Sequence, residues 1–339
     1  MVTLKQVAAR AGVSIKTVSR IVNDDAAVNA KTREQVQRLL QSLNYIPNNA
    51  ARQMRGGAST IFGLMTDAVA TTPYSVDIVR GAQSALRENQ QTLLIASSDG
   101  EPDREAELWR MFRAHRVAGV VYASMFHRSH DVGQPAFDNS IVLANCFARN
   151  GDKPSIIPDD EMGGYTQAKY LLQRGHRRIG IVTLIPELEA TRLRGLGMRR
   201  AFAEAGVAFD DALEVRGVHG ALGDEILVTY GVTREILQQR NRPTAIICGT
   251  DQLAMQVYFA AGSLGLSIPD HLSVIGFDDL RLISETLYPQ LTTVALPYFE
   301  IGRRAVEVMN RSAVETSLSL QKQLVPCPLI ERNSCKPLA

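Results

Sequence analysis

The 339-residue sequence has little of what defines several protein classes. Its four cysteines, Cys146, Cys248, Cys327 and Cys335, lie far apart without Cys-x-x-Cys spacing. That argues against a disulfide framework or a thiolate zinc site and fits reduced, mostly buried thiols. No window approaches 18 uncharged apolar residues, so no membrane span is expected. The first five residues lack the apolar core of a secretory signal, and a cytoplasmic protein is expected. No Gly-x-Gly-x-x-Gly follows a strand-like run, and the phosphate-loop pattern ending in Gly-Lys-Ser/Thr is missing. His-Glu-x-x-His, Gly-x-Ser-x-Gly and clustered Cys/His are missing too. The expectation is therefore a non-enzyme, with no catalytic residue, no metal and no cofactor.

What is present is ordinary globular material, 45% hydrophobic and 21% charged, in a chain long enough for two or three domains. The net charge of +2 hides an asymmetry. Residues 1–58 hold nine Lys/Arg against three Asp/Glu, a balance of +6, and the remainder holds 28 against 32, a balance of −4. A small basic head on a mildly acidic body suggests a polyanion-binding module joined to something else.

The head reads as packed helices. Thr3 with Gln6 three residues on is a capping-box start, and Leu4, Val7, Ala8 and Ala11 recur at helical spacing. Gly12 suits the positive φ of a tight turn. Ser14 is a good N-cap for a helix from Ile15 to about Val22, whose inner face is Val18, Ile21 and Val22. Asn29 can cap a third helix, about Ala30 to Leu43, buried through Val36, Leu39, Leu40 and Leu43. Two short helices joined by a tight turn make a helix-turn-helix, although a generic three-helix bundle has the same spacing.

The run Thr3-Leu4-Lys5-Gln6-Val7-Ala8, then Ala11-Gly12-Val13-Ser14 and Thr17-Val18-Ser19-Arg20-Ile21-Val22-Asn23, followed by Lys31-Thr32-Arg33 and Leu43-Asn44-Tyr45-Ile46-Pro47-Asn48, resembles the lactose-repressor/galactose-repressor family. The resemblance implies that Ile15, Lys16 and Arg20, at the start of the second helix, hold the operator-reading positions. Arg20 has the chemistry for a bidentate contact to guanine, Lys16 for a base acceptor or phosphate, and Ile15 for a thymine methyl. Ser14, Thr17, Ser19 and Asn23 match positions near phosphates, which set register, and Thr3 and Asn29 would add phosphate contacts at helix starts.

Between Pro47 and Gly56-Gly57 only about two helical turns fit, too short a helix to stand alone. A flexible linker reads the same way. The resemblance instead implies a hinge helix that pairs with its dimer mate in the minor groove, with Asn48, Ala51 and Met54 on DNA. Met54 stands where the family usually has a Leu that wedges between base pairs, a softer and more flexible wedge.

The body alternates strand-like runs (Ile61–Met65, Thr92–Ala96, Val117–Tyr122, Ile141–Ala144, Arg178–Thr183, Ala245–Cys248, Leu272–Phe277) with helical patterns such as Val76–Glu88, Gly163–Gln173, Arg192–Ala205 and Ile226–Gln239. Such a rhythm gives parallel sheets with ligands at the C-terminal strand ends. Ile61-Phe62-Gly63-Leu64, Gly175-His176-Arg177-Arg178-Ile179-Gly180, Arg194-Gly195-Leu196-Gly197 and Ser273-Val274-Ile275-Gly276-Phe277-Asp278-Asp279 carry the resemblance onward. It implies a two-lobed core with the fold of periplasmic sugar-binding proteins. In that core Arg194 and Asp278 would bind a sugar's hydroxyls. Asp99 and Asn145 would reach it from the first lobe, Tyr74 and Tyr298 would stack on it, and Thr250 stands where the family often has Asn. Trp109 reads as core and His176 as structural.

The expected protein thus has an all-α helix-turn-helix head (1–46), a hinge helix and linker (47–59) and an α/β two-lobed, periplasmic-binding-protein-like core with parallel sheets (60–339). The first lobe is expected at about 60–158 and 290–320, the second at about 159–289 and 321–337. The expected function is a homodimeric repressor of a carbohydrate-utilisation operon. It would bind double-stranded, pseudo-palindromic operator DNA and be released by a small sugar or polyol. A co-repressor mode and a sugar-binding protein of the transport type are the alternatives. No C-terminal leucine heptads of the kind found in tetrameric relatives follow the last strand-like run, so a dimer is expected.

Overall fold

In the computed structural model, residues 2–22, 25–45, 59–70, 75–132, 140–220, 224–312 and 322–338 are described. The chain divides into two compact units, Met1–Ser59 and Thr60–Ala339.

The first unit holds α1 (Leu4–Ala11), α2 (Ile15–Val22) and α3 (Ala30–Ser42). Thr3 and Gln6 form the expected capping box, and Gly12 takes φ +67° where the chain turns into α2. Val7, Val18 and Val36, one from each helix, are fully buried together.

The second unit runs, in chain order, β1 (Ile61–Thr66), α4 (Asp77–Glu88), β2 (Thr92–Ser97), α5 (Pro102–Ala114), β3 (Gly119–Ser129), β4 (Ser140–Phe147), β5 (Ser155–Pro158) and α6 (Asp160–Gln173). It continues with β6 (Ile179–Thr183), α7 (Glu189–Glu204), β7 (Glu214–Arg216), β8 (Val218–His219), β9 (Ile226–Leu227), α8 (Thr229–Leu237), β10 (Ala245–Cys248), α9 (Asp251–Ser263) and β11 (Ser273–Asp278). It ends with α10 (Arg281–Ser284), β12 (Thr292–Ala295), α11 (Tyr298–Ser312), β13 (Lys322–Val325) and β14 (Leu329–Ile330). Two six-stranded sheets result, ordered β13-β5-β4-β3-β1-β2 and β14-β12-β11-β10-β6-β7. Every pairing in them is parallel except β12 with β14. Each sheet is the floor of one lobe, because apolar strands such as β5 and β10 are buried along their whole length.

The chain crosses between lobes three times, at 158–160, 295–298 and 325–329. Two of these crossings differ from the expected bounds. Thr292–Ala295 pairs with β11 and belongs to the second lobe, whereas Lys322–Val325 pairs with β5 and belongs to the first. Local residue pattern cannot say which sheet edge accepts a short strand. The helix expected from Ile226 begins instead at Thr229. Ile226 and Leu227 pair with His219 and Val218 in a two-stranded ribbon, and the Thr229 hydroxyl donates to Gly217 O. Trp109 and His176 are buried as expected, Trp109 edge-on to Phe112 and His176 bonded to Thr244 and Lys336 O.

Candidate nucleic-acid interface and ligand cleft

On the head, the first turn of α2 presents Ile15, 48% exposed, beside exposed Lys16. One turn on, the Arg20 side chain makes a 3.4 Å contact with Asp25, and both side chains are more than 40% exposed. Such a pair is worth little and does not restrain Arg20 from a stronger partner. An exposed isoleucine between polar neighbours contributes nothing to this helix's core, which is filled by Val18 and Ile21.

The polar positions assigned to phosphates have local duties. The Ser14 hydroxyl accepts from Thr17 N at 3.0 Å and lies 2.9 Å from the Thr17 hydroxyl. Thr3 Oγ1 accepts from Gln6 N and donates to Gln6 Oε1, and Asn29 Oδ1 accepts from Thr32 N. Ser19 is half-buried. Asn23, Asn48, Ala51 and Met54 lie outside the described residues.

In the core, the second site forms where the three crossings meet. Helices α6 and α7 touch there because neither has a side chain at the crossing point. A Cβ on Gly197 would stand 1.9 Å from Glu161 O, and one on Gly164 2.2 Å from Arg194 O. The Arg194-Gly195-Leu196-Gly197 run is thus a close-packing device. It puts the Arg194 guanidinium, 5% exposed, against Asp160, which is fully buried. Arg194 Nε donates to Asp160 Oδ1 at 2.7 Å and Nη1 to Gly249 O at 2.6 Å, with the guanidinium 3.5 Å over the Phe277 ring. The fork expected to face ligand hydroxyls is therefore partly committed within the protein.

Asp160 has a second partner. His127 Nδ1 lies 2.6 Å from its Oδ2, so a strand residue of the first lobe meets a helix residue of the second. Burial alone would push the Asp160 carboxyl up, but Arg194 and His127 outweigh it and hold the group below the usual carboxylate range. Asp160 therefore accepts and His127 Nδ1 donates.

Asp278 ends β11 at φ +119°, and Tyr298 opens α11 at the second crossing. Burial, then the neighbouring Asp251, pushes Asp278 well above the usual carboxylate range, with Arg194 opposing. Burial raises the Tyr298 phenol also, and Asp278 adds to it. Burial thus disfavours the charged form of both groups. Asp279 turns away to accept from Arg332 at 2.7 Å, so the adjacent carboxylates diverge.

Asn145 lies in β4 at φ +57°, 2% exposed, and both amide protons go to its own lobe, to Ser124 O and Met125 O. Asp99 is exposed on the loop after β2 at φ +52° and accepts from the Ser97 hydroxyl. Asp99, Asn145 and Asp278 thus share the left-handed region, uncommon outside glycine and concentrated at functional sites. Thr250 is the N-cap of α9, accepting from Leu253 N at 3.2 Å, a duty an amide at this position performs equally well. Tyr74 lies outside the described residues.

Sequence reasoning missed Asp160, His127, and Asp67, whose buried carboxylate accepts from Ser124 and Arg128. Asp159-Asp160 is visible as an acidic helix start. Only the fold separates Asp159, which caps Met162 N, from Asp160, which turns inward. Among the described residues no group of His, Cys, Asp and Glu is placed to hold a metal ion, and no helix is long and apolar enough to cross a membrane.

A helical operator-reading head joined to a two-lobed cleft defines a class of ligand-responsive DNA-binding regulators. Residues 3–48 match the model of bacterial regulatory proteins of the lacI family, and residues 168–335 match the periplasmic binding protein-like domain. The chain is 33% identical to the sucrose operon repressor of Escherichia coli over 98% of its own length and all of the relative's. It is 30% identical to the ribose operon repressor of Escherichia coli K12, again over 98% and 100%. The Lac repressor dimer bound to operator and an anti-inducer superposes with a TM-score of 0.83 at 26% identity, covering 99% of each chain. The chain belongs to the lacI family of DNA-binding transcriptional regulators.

Proposed function

We propose that this protein represses a carbohydrate-utilisation operon, binding a pseudo-palindromic operator as a homodimer and leaving it when a small sugar or polyol closes the cleft. It is read as a non-catalytic protein working in the cytoplasm, where its DNA target is. Ile15, Lys16 and Arg20 read base edges, with Ser14, Thr17, Ser19, Asn23, Thr3 and Asn29 near phosphates. Asn48, Ala51 and Met54 act in the hinge. Asp278, Tyr298, Asn145, Asp99, Arg194, Thr250 and Tyr74 surround the effector.

The observation that carries the reading is the buried, charge-matched pair at the lobe crossings. Arg194 is already balanced by Asp160, and burial disfavours the charged forms of Asp278 and Tyr298 beside it. A site with its one buried cation matched favours a neutral ligand rich in hydroxyls over an anion, since an anion there would stay uncompensated. The sucrose and ribose operon names of the relatives agree with that chemistry. Coupling needs only that the effector prefer one lobe arrangement and DNA the other.

The test is fluorescence anisotropy on promoter DNA with a salt titration and a saccharide panel. The expected result is affinity that falls steeply with log salt and a saccharide that releases the DNA. Salt-independent or undetectable DNA binding sinks the repressor reading, and a saccharide that tightens binding makes it co-repressor-dependent.

A further inference from the structure

We propose that His127 is an effector-contacting residue, held in place by Asp160 and offering its Nε2 to a ligand hydroxyl across the two lobes. The inference rests on the effector reading above and extends it to a residue that no sequence signal marked. Three observations support it.

The first is position. The pairing of β3 with β4 loses register between Ala123 and Arg128. The strand therefore leaves the sheet's regular plane just where it reaches His127. The ring meets Phe147 edge-on with centroids 5.7 Å apart, and the side chain, 2% exposed, bridges to α6 of the other lobe. Through Asp160 it is one residue removed from Arg194, and Arg194 lies in the field of Asp278.

The second is the unmatched atom. His127 Nε2 is buried and has no hydrogen-bond partner among the described residues. A buried ring nitrogen without a partner is costly, and such groups persist where a ligand or water completes them. Its Nδ1 is fully engaged, so the ring cannot flip to satisfy Nε2 without leaving Asp160 bare.

The third is chemistry. With the Asp160 carboxylate ionised, Nδ1 carries a proton. Nε2 is then a lone-pair acceptor in neutral imidazole and an N–H donor in imidazolium. A hydroxyl, both donor and acceptor, satisfies either state, whereas a carbonyl or a carboxylate satisfies only one. Asp160 is the positioning residue, because it fixes the tautomer and ring plane without itself offering a free oxygen. Glu189 on α7 and Lys322 on β13 also lie close enough to interact with the same region.

The experiment separates the ring's two nitrogens. In His127→Asn the amide nitrogen falls near Nδ1 and can keep the bond to Asp160, but nothing remains at Nε2. In His127→Gln the amide falls near Nε2 and the Asp160 bond is lost. Wild type and both variants are titrated calorimetrically with neutral mono- and disaccharides, led by sucrose, ribose and cellobiose. Melting of the ligand-free proteins checks folding. The expected result is a saccharide whose affinity falls about tenfold or more in His127→Asn, the loss of one buried hydrogen bond, with ligand-free melting little changed and His127→Gln less affected. On wild type, the 15Nε2 resonance of His127 should move on saccharide addition. Undiminished affinity in His127→Asn, or an unmoved resonance, overturns the role of His127 alone. If no saccharide binds wild type, the effector reading itself fails, and this inference with it.

Discussion

Arg194 and Asp160 meet at 2.7 Å because Gly197 and Gly164 let α7 and α6 approach to backbone contact. The buried ion pair is therefore a consequence of helix packing as much as of charge. Its partners cannot be removed singly without exposing the other to an apolar surrounding.

Gly197→Ala puts a methyl 1.9 Å from the Glu161 carbonyl, which belongs to the helix backbone and cannot rotate aside. Overpacking of this kind costs about 1–3 kcal/mol, so urea unfolding should show that loss. The same substitution at Gly195, whose Cβ would meet nothing within 4 Å, should be near neutral or mildly stabilising. Equal effects at the two glycines would contradict the close-crossing account.

Asp160→Ala leaves the Arg194 guanidinium buried without its carboxylate. Breaking one partner of a buried pair costs about 3–5 kcal/mol, readable as a loss of core melting temperature. Because the folded Asp160 carboxyl lies below its unfolded value, its contribution is present above about pH 4 and is lost as pH falls further. Asp160→Asn should accordingly flatten the acid limb of the stability curve below that pH. An unchanged acid limb would show that the pair contributes nothing.

Asp251 predicts the opposite slope. Burial raises its carboxyl to about 7, against the hydrogen bonds from the Thr293 hydroxyl and Leu280 N. The folded state then holds a proton that the unfolded state has released, so core stability should decline as pH rises from about 4 to about 7. Asp251→Asn should remove the Asp251 share of that decline in melts taken across the window, leaving the share of Asp278, whose carboxyl is raised too. A slope identical to wild type would mean that another group titrates.

On DNA, Arg20→Ala should cost about 1–3 kcal/mol and relax selection at one base pair of each half-site, since a bidentate guanine contact is lost. Lys16→Ala should either relax a second position or lower the salt slope by about 1, according to whether it meets a base or a phosphate. Selection from randomised operators with salt titration reads both. Unaltered selection in both variants would place the reading face elsewhere.

Much of this protein was legible in its residues. The head could be read because its signals are local. A capping box at Thr3, a turn glycine at Gly12 and caps at Ser14 and Asn29 delimit three helices whose apolar faces repeat at helical spacing. The β/α rhythm likewise announced parallel sheets, and strand-end polar residues such as Asn145 and Asp278 stood out as exceptions to an apolar pattern. What the tertiary structure decided were relations between distant segments. Which sheet edge takes Thr292–Ala295 or Lys322–Val325 depends on free edges that exist only after both lobes form. That Arg194 is matched by Asp160, and Asp160 by His127 from 33 residues upstream, depends on two glycines setting a helix separation and on a strand losing register at one point. Local sequence carries propensities and caps, because those act within a few residues. The pairing of buried charges is settled by packing distance, which no run of residues encodes alone.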